Sequence, residues 1–114
     1  MKDNKLYLIH ILESIGRIVE YTREGKDAFM RDRKTQDAVL RNLQTLAEST
    51  QRLTPELKLA NTQVDWERIA GFRNVLVHDY LGINMVRVWE IIEHHLPNLK
   101  SQVEAVLEHL KNSP

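Results

Sequence analysis

Apolar residues near the start of the chain recur at steps of three and four positions, which is the spacing of one face of an α-helix. The repeat consists of Leu8, Ile11, Leu12, Ile15, Ile18 and Val19. Asp3 is a suitable N-cap and Gly25 a suitable stop, so we predict a first helix from about Asp3 to Glu24. Leu6 and Ile9 widen the apolar stripe, and we expect this helix to pack on two sides, one of them against a second subunit.

The rest of the chain contains few residues that break helices, since its 114 residues include four glycines and three prolines. Further helices are predicted over residues 27–31, 34–53, 84–95 and 97–110. Another is predicted to start at Asp65 and to cover "WERIAGFRN", whereas "LTPELKLANTQVD" is predicted to be a loop because it contains turn signals. The expected fold is all-α: one domain, residues 1–114, formed by an antiparallel bundle of four to five helices.

The charge balance and the lack of cysteine limit the kinds of function. Lys and Arg total 16 and so do Asp and Glu, so nucleic acid must bind through a local patch and not through a basic surface as a whole. With no cysteine, disulfides and thiolate metal sites are excluded. The first residues show neither a signal-peptide pattern nor the roughly 20 apolar residues that span a bilayer. We therefore expect a soluble cytoplasmic protein without a membrane partner.

The stretch "RNVLVHDY", residues 73–80, combines an apolar Val-Leu-Val run with side chains that can carry chemistry. On a regular helix Arg73 and His78 lie about 140° apart around the axis, so both can face one substrate only if the helix bends or stops between them. Glycines on either side of the stretch allow such a corner. We predict a helix–kink–helix corner that brings Arg73, Asn74, His78 and Tyr80 to one edge of the bundle.

These groups suit the cleavage of RNA without a metal ion. An imidazole with a pKa of about 6.5 can take a proton from a 2′-hydroxyl or give one to the leaving oxygen. A guanidinium holds phosphate oxygens with a forked set of donors, and Asn74 can add a neutral hydrogen bond. Since one chain supplies one histidine here, we predict a symmetric homodimer with one His78 from each subunit at a shared cleft. In the plainer alternative, Arg73 makes a surface ion pair and His78 caps a helix.

Three segments, "IHILESIGRIVEYT", "DRKTQDAVLRNLQTLAEST" and "RNVLVHDYLGINMVRVWEIIEHHLPNLK", resemble the HepT-like toxins of the HEPN superfamily. The likeness covers nearly the whole chain, and Arg73, His78 and Tyr80 complete the Arg-x4-His-x-Tyr motif of that family. The resemblance implies a HEPN-like bundle and a homodimeric, metal-independent endoribonuclease without a cofactor. Arg73 and His78 are then the catalytic residues, and Asn74 has a supporting polar role.

The resemblance also implies a regulatory partner. HepT-like toxins of type VII toxin–antitoxin systems are paired with MntA, a minimal nucleotidyltransferase that transfers AMP from ATP to the motif tyrosine, here Tyr80. The attached nucleotide adds negative charge and bulk two residues from His78, where substrate phosphate should bind. Two rival hypotheses are a non-catalytic helical adaptor that binds a nucleotidyltransferase or a nucleotide, and a purely structural four-helix oligomer.

Several charged side chains have both a functional and a structural interpretation. Arg31, Arg33 and Lys34 can contact RNA beside the cleft, or they can form a solvated junction between helices. Asp37 or Glu48 can orient the motif arginine, or each can form an ordinary surface pair.

The remaining histidines and the tryptophans are interpreted structurally. Glu90 and the pair His94-His95 have a spacing that resembles a metal site, but a single helical pair is weak evidence, and we predict an exposed helix end with no metal. Trp66 and Trp89 fit positions that anchor the core better than positions that stack on bases.

Overall fold

The computed structural model describes residues 3–77 and 84–112, and every regular element in those ranges is a helix. The elements are α1 (Asn4–Tyr21), α2 (Lys26–Arg31), α3 (Arg33–Arg52), α4 (Pro55–Ala60), α5 (Trp66–Val77), α6 (Met85–Glu90), a π-helical segment (Ile91–His95) and α7 (Leu96–Lys111). The predicted all-α fold is confirmed for this part of the chain. None of the described helices combines the length and the apolar character needed to cross a membrane.

Helix α1 and helix α5 each start at the carboxylate predicted to cap it. The carboxylate of Asp3 accepts a hydrogen bond from the backbone amide of Leu6 at 3.1 Å, and that of Asp65 accepts one from the amide of Arg68 at 3.0 Å. Each bond satisfies an amide that has no partner within the first turn of its helix. The two predicted helix starts are therefore confirmed.

Helix α3 starts at a third carboxylate, Asp32, which lies at the corner between α2 and α3. Its Oδ1 accepts from the amides of Lys34 and Thr35, and its Oδ2 accepts from the Thr35 hydroxyl at 2.8 Å. These bonds, with the Thr35 hydroxyl first, hold the pKa of Asp32 below its usual value because they favour the charged form. The predicted basic cluster, Arg31, Arg33 and Lys34, is therefore arranged around this cap.

The prediction of a loop over "LTPELKLANTQVD" is wrong for residues 55–60, which form α4. The Thr54 hydroxyl accepts from the amide of Leu57 at 3.3 Å, and Pro55 occupies the first helical position, where its missing N–H costs nothing. Leu57 is buried against the core. A Thr-Pro pair is compatible with either a turn or a helix start. The burial of Leu57 favours the helix.

A reciprocal pair of hydrogen bonds fixes the direction of α1 against α3. The side-chain amide of Asn4 donates to the Thr54 hydroxyl at 3.1 Å, and the backbone amide of Thr54 donates to the Asn4 side-chain oxygen at 3.1 Å. Asn4 is the first residue of α1, and Thr54 follows the end of α3. The start of one helix therefore lies beside the end of the other, as expected for an antiparallel pair.

The core lies between α1, α3 and α7 and contains fully buried aliphatic side chains. They are Leu8, Ile11, Ile15, Ile18, Val39, Leu43, Leu46 and Val103. Burying each such side chain stabilises the fold by about 1.5–3 kcal/mol. Val19 belongs to the apolar repeat but is 53% exposed, and Leu6 and Ile9 are 43% and 38% exposed. Helix α1 therefore carries apolar side chains that this chain alone does not cover.

Helices α6 and α7 are joined without a loop, through the π-helical segment. The backbone amide of Leu96 donates to the carbonyl of Ile91, five residues earlier, instead of the usual four. Pro97 explains the irregularity, because its ring has no N–H and collides with the carbonyl four residues before it in a regular α-helix. The predicted boundary near Pro97 is confirmed, but the chain bulges there and continues as a helix.

Both tryptophans anchor the packing as predicted. Trp89 is buried, and its ring lies 5.4 Å from that of Phe29, centroid to centroid. The indole N–H of Trp66 donates to the carbonyls of Lys58 and Asn61 at 3.2 and 3.0 Å. Trp66 thereby connects the end of α4 to the start of α5.

Candidate active site

Helix α5 carries the motif arginine on a solvent-exposed position beside α3. The guanidinium of Arg73 donates a hydrogen bond from Nη1 to Oε1 of Gln51 at 3.2 Å. Gln51 lies in the last turn of α3, and both side chains are exposed. Within residues 3–77 and 84–112 the arginine is therefore held by a neutral acceptor, which does not offset its positive charge.

The other motif residues are only partly covered by the structure. Asn74 is exposed and follows Arg73 on α5. Helix α5 extends through Val77, so the helix does not end between Arg73 and that residue. His78 and Tyr80 lie outside the described residues, and the prediction that they converge with Arg73 on one edge stays a prediction.

A cavity of about 370 Å³ continues along α3 and α5 beyond the arginine. It is lined by Asp37, Leu40, Arg41, Gln44 and Leu76. Since Gln51 contacts residue 73 while residues 37–44 surround residue 76, α5 runs antiparallel to α3. The C-terminal end of α5 therefore points toward the N-terminal end of α3.

The basic cluster at the start of α3 is separated from Arg73 by most of that helix. Arg31, Arg33 and Lys34 are all exposed. From Arg33 to Gln51 the α3 axis spans about 27 Å at 1.5 Å per residue. Within one chain this cluster is therefore remote from the arginine. It lies at the N-terminal end of α3, and α5 runs toward that end.

The residue that orients Arg73 is not one of the two acidic candidates. Glu48 accepts a hydrogen bond from the side-chain amide of Gln44 at 3.2 Å, and Asp37 lines the cavity beside Leu76. Gln51 makes the contact with the guanidinium instead. Sequence reasoning missed it because a lone glutamine in a helix carries no signal, and its partner is 22 positions away.

The histidine pair near the π-helical segment faces other side chains. His94 approaches Glu93 at 3.2 Å, whereas Nδ1 of His95 lies 3.3 Å from Nη1 of Arg68. Partial burial lowers the pKa of His95 below its ordinary value, and the charge of Arg68 lowers it further. No group of three or more His, Asp or Glu side chains able to hold a metal ion occurs within residues 3–77 and 84–112.

Comparison with known proteins places this chain among ribonuclease-like sequences. Residues 11–106 match the family model described as Ribonuclease HepT-like. A Thermococcus cleftensis protein named "Probable ribonuclease HepT" is 33% identical over 104 residues, which cover 90% of this chain and 94% of the relative. "Putative RNase MJ0127" of Methanocaldococcus jannaschii is 32% identical over 111 residues, covering 96% and 92%. No solved structure gives a significant match.

One relative is about twice as long. "Gamma-glutamylcyclotransferase and putative RNase MJ0434" of Methanocaldococcus jannaschii is 34% identical over 110 residues, which cover 96% of this chain. The chain spans about half the length of that relative, 50%. The two relatives above match over nearly their full length, so the similarity comprises the whole helical unit.

Proposed function

This chain belongs to the Ribonuclease HepT-like family, and we propose that it is a metal-independent endoribonuclease, the toxin of a type VII toxin–antitoxin pair. The observation that carries the proposal is the exposed guanidinium of Arg73, which is held by Gln51. In the sequence, Arg73 lies five residues before His78. A cation held at an accessible helix surface can bind a phosphodiester, and the histidine of the same sequence motif can move the protons needed to cleave it.

In the proposed reaction the arginine binds the charge and the histidines move the protons. The guanidinium of Arg73 donates to the non-bridging oxygens of the scissile phosphate, whose negative charge rises in the transition state. Asn74, exposed on the same helix, adds a neutral hydrogen bond. Neither role requires a metal ion, because the arginine itself supplies the positive charge.

His78 takes the proton from the 2′-hydroxyl of the ribose, and the oxygen then attacks the adjacent phosphorus. The bond from phosphorus to the 5′-oxygen breaks, and that oxygen receives a proton from a second histidine. The products are a 2′,3′-cyclic phosphate and a free 5′-hydroxyl. One chain offers one motif histidine, so the two proton transfers are assigned to the two copies of His78 in a homodimer.

Apolar side chains exposed on α1 support the homodimer. Leu6 and Ile9 lie three positions apart, therefore on one face, and are 43% and 38% exposed. A chain of 114 residues also buries a limited core, so association adds a useful amount of buried apolar surface.

The proposed regulation acts on Tyr80. An MntA-type nucleotidyltransferase transfers AMP when the tyrosine oxygen attacks the α-phosphorus of ATP and pyrophosphate leaves. The added phosphate places negative charge two residues from His78, where it competes with the phosphate of RNA for the same cations. The antitoxin thereby blocks substrate binding while the fold is unchanged.

The basic corner at the start of α3 is proposed to bind RNA away from the cleaved bond. Arg31, Arg33 and Lys34 are exposed around the Asp32 cap, about 27 Å along α3 from Gln51. Arg41 lies between the two positions and lines the cavity beside Leu76. An RNA strand along α3 would meet these cations in order, and its affinity would depend on salt.

The decisive test is incubation of purified protein with RNA in the presence of EDTA. We expect cleavage by the unaltered protein and no cleavage by His78→Ala, with 2′,3′-cyclic phosphate ends on the products. Intact RNA, combined with ATP-dependent labelling of Tyr80 by a partner, would instead support the adaptor hypothesis. Mass measurement after co-expression with the nucleotidyltransferase tests the regulation, since AMP-sized increments should be absent from Tyr80→Phe.

A further inference from the structure

A second set of cavities lies on the opposite side of α5 from Gln51, against the π-helical segment and α7. The smaller cavity has a volume of about 120 Å³ and the larger about 450 Å³. Both are lined by Asp65, Arg68, Phe72 and His95. Arg68 is five positions from Arg73, so the two arginines point about 140° apart around the same helix.

A paired guanidinium and imidazole line both cavities. Nη1 of Arg68 lies 3.3 Å from Nδ1 of His95, and its Nε lies 3.7 Å from a carboxylate oxygen of Asp65. Arginine has no acceptor atoms, so it donates, and Nδ1 of His95 must be the unprotonated nitrogen of a neutral ring. The lowered pKa of His95 agrees with that assignment. The flat guanidinium of Arg68, although its side chain is 57% exposed, is thus held at two points.

The smaller cavity has an apolar floor and a polar rim. Ile69, Phe72 and Leu99 line it and are all buried, and the ring of Phe72 lies 6.4 Å from that of His95. Planar rings and guanidinium groups are the surfaces on which unpaired bases stack.

Three amide side chains complete the rim. Gln63, Asn98 and Gln102 line the smaller cavity, and the amide of Gln102 donates to the backbone carbonyl of Gln63 at 3.0 Å. Asn98 is exposed on the first turns of α7. An amide offers a donor and an acceptor side by side, which is the pattern that recognises the edge of a base.

The charges around both cavities favour a base over a bare phosphate. Asp65 and Glu67 balance Arg68 and Arg87, and the His95 ring is neutral. An isolated phosphate would find no excess positive charge there. A nucleobase is flat and uncharged, with donors and acceptors at its edge, and Arg87 in the larger cavity can meet the phosphate attached to it.

We propose that the groove formed by Arg68, Phe72, His95, Asn98 and Gln102 binds an unpaired base of the RNA strand. This deepens the proposed function, on which it rests, by assigning single-stranded RNA as the substrate class. Arg68 and Arg73 are separated by about 7.5 Å of helix rise and point about 140° apart around α5, so the bound base belongs to a nucleotide several positions along the strand from the cleaved bond. The base stacks on the surface that the Arg68 guanidinium and the His95 ring form together, while Asn98 and Gln102 contact its edge.

The test is steady-state cleavage of four short single-stranded oligoribonucleotides that differ in one base near the cut. For Asn98→Ala/Gln102→Ala and for Arg68→Gln we expect KM to rise about tenfold, the preference among the four bases to weaken, and kcat to stay within about twofold. Lys100→Ala, on the same helix but outside the groove, and Arg23→Ala, an exposed arginine elsewhere, are the matched controls and should behave like the unaltered protein.

Binding measurements in the His78→Ala background separate this proposal from the function on which it rests. Cleavage by the unaltered protein with unchanged KM and base preference in both groove variants overturns the groove and leaves the nuclease intact. RNA binding that depends on the groove without any cleavage supports the groove and overturns the nuclease. Tighter binding of free AMP than of the oligonucleotides assigns the groove to a mononucleotide and overturns the RNA assignment. Absence of both binding and cleavage overturns both.

Discussion

Arg73 and Gln51 lie 22 positions apart in the chain, yet the guanidinium of one donates to the amide oxygen of the other at 3.2 Å. The contact joins the middle of α5 to the last turn of α3. Because the acceptor is neutral, it restricts the rotamers of a long flexible side chain without cancelling its charge. An arginine arranged in this way is oriented for an anion before the anion arrives.

Gln51 is therefore predicted to act as a positioning residue. Gln51→Ala should lower kcat for RNA cleavage roughly fivefold, since an exposed hydrogen bond of about 1 kcal/mol is lost. The thermal unfolding midpoint should not change, and Gln51→Glu should bind RNA more weakly because its charge neutralises the arginine. Glu104→Ala, at an exposed position on α7 outside the proposed RNA path, is the control. An equal loss of kcat in both variants would contradict a specific role for Gln51.

Arg73 itself is predicted to be far more sensitive. Arg73→Ala should reduce kcat by about 10²- to 10³-fold, the range observed when a donor to a developing oxyanion is removed. Arg73→Lys should recover only part of this, because an ammonium group cannot make the forked contact with two phosphate oxygens. Single-turnover cleavage rates measure both effects. Full activity of Arg73→Lys would mean that a positive charge at this position is enough for catalysis without the forked contact.

The shared cleft is tested with tagged heterodimers. An unaltered subunit is paired with one that carries both Arg73→Ala and His78→Ala. If the two subunits share one cleft, this heterodimer should lose nearly all activity. Two independent sites would instead retain half of it. The heterodimer purified through two different tags, assayed beside both homodimers, distinguishes these outcomes, and a particle that stays monomeric at the assay concentration would contradict the dimer directly.

His95 is predicted to make stability depend on pH. Its pKa is lowered in the folded protein by partial burial and by Arg68, so below about 6.5 the unfolded chain binds more protons than the folded one. Stability is therefore unaffected above that pH and is lost as the pH falls toward the lowered pKa. His95→Gln should flatten this part of the curve of unfolding midpoint against pH. The same slope in the variant would assign the effect to other groups.

Trp89 is predicted to be the most costly single truncation among the described aromatic residues. Trp89→Ala should lower the free energy of unfolding by about 3–5 kcal/mol, because a buried indole and its contact with Phe29 are both lost. Leu59→Ala is the control. Leu59 is 77% exposed, so its truncation should change the free energy of unfolding by no more than about 0.5 kcal/mol. Urea denaturation followed by circular dichroism measures the difference.

The helices could be predicted from the sequence because their signals are local. Asp3 and Asp65 are caps next to their own helices, and the apolar repeat of α1 specifies which face is buried. The failure at residues 55–60 has the same origin, because Thr54-Pro55 signals either a turn or a helix start. Local information does not reveal that Leu57 has a core to pack against.

By itself, the sequence determined the class of fold, the starts of α1 and α5 and the residue types present at positions 73–80, since each depends on residue type and short-range spacing. The tertiary structure alone decided which distant side chains meet. Gln51 contacts Arg73, and Arg68 contacts His95 across 27 positions, only because α5 packs between α3 on one side and the π-helical segment on the other. Such contacts depend on how helices pack in three dimensions, and no periodicity along the chain encodes them.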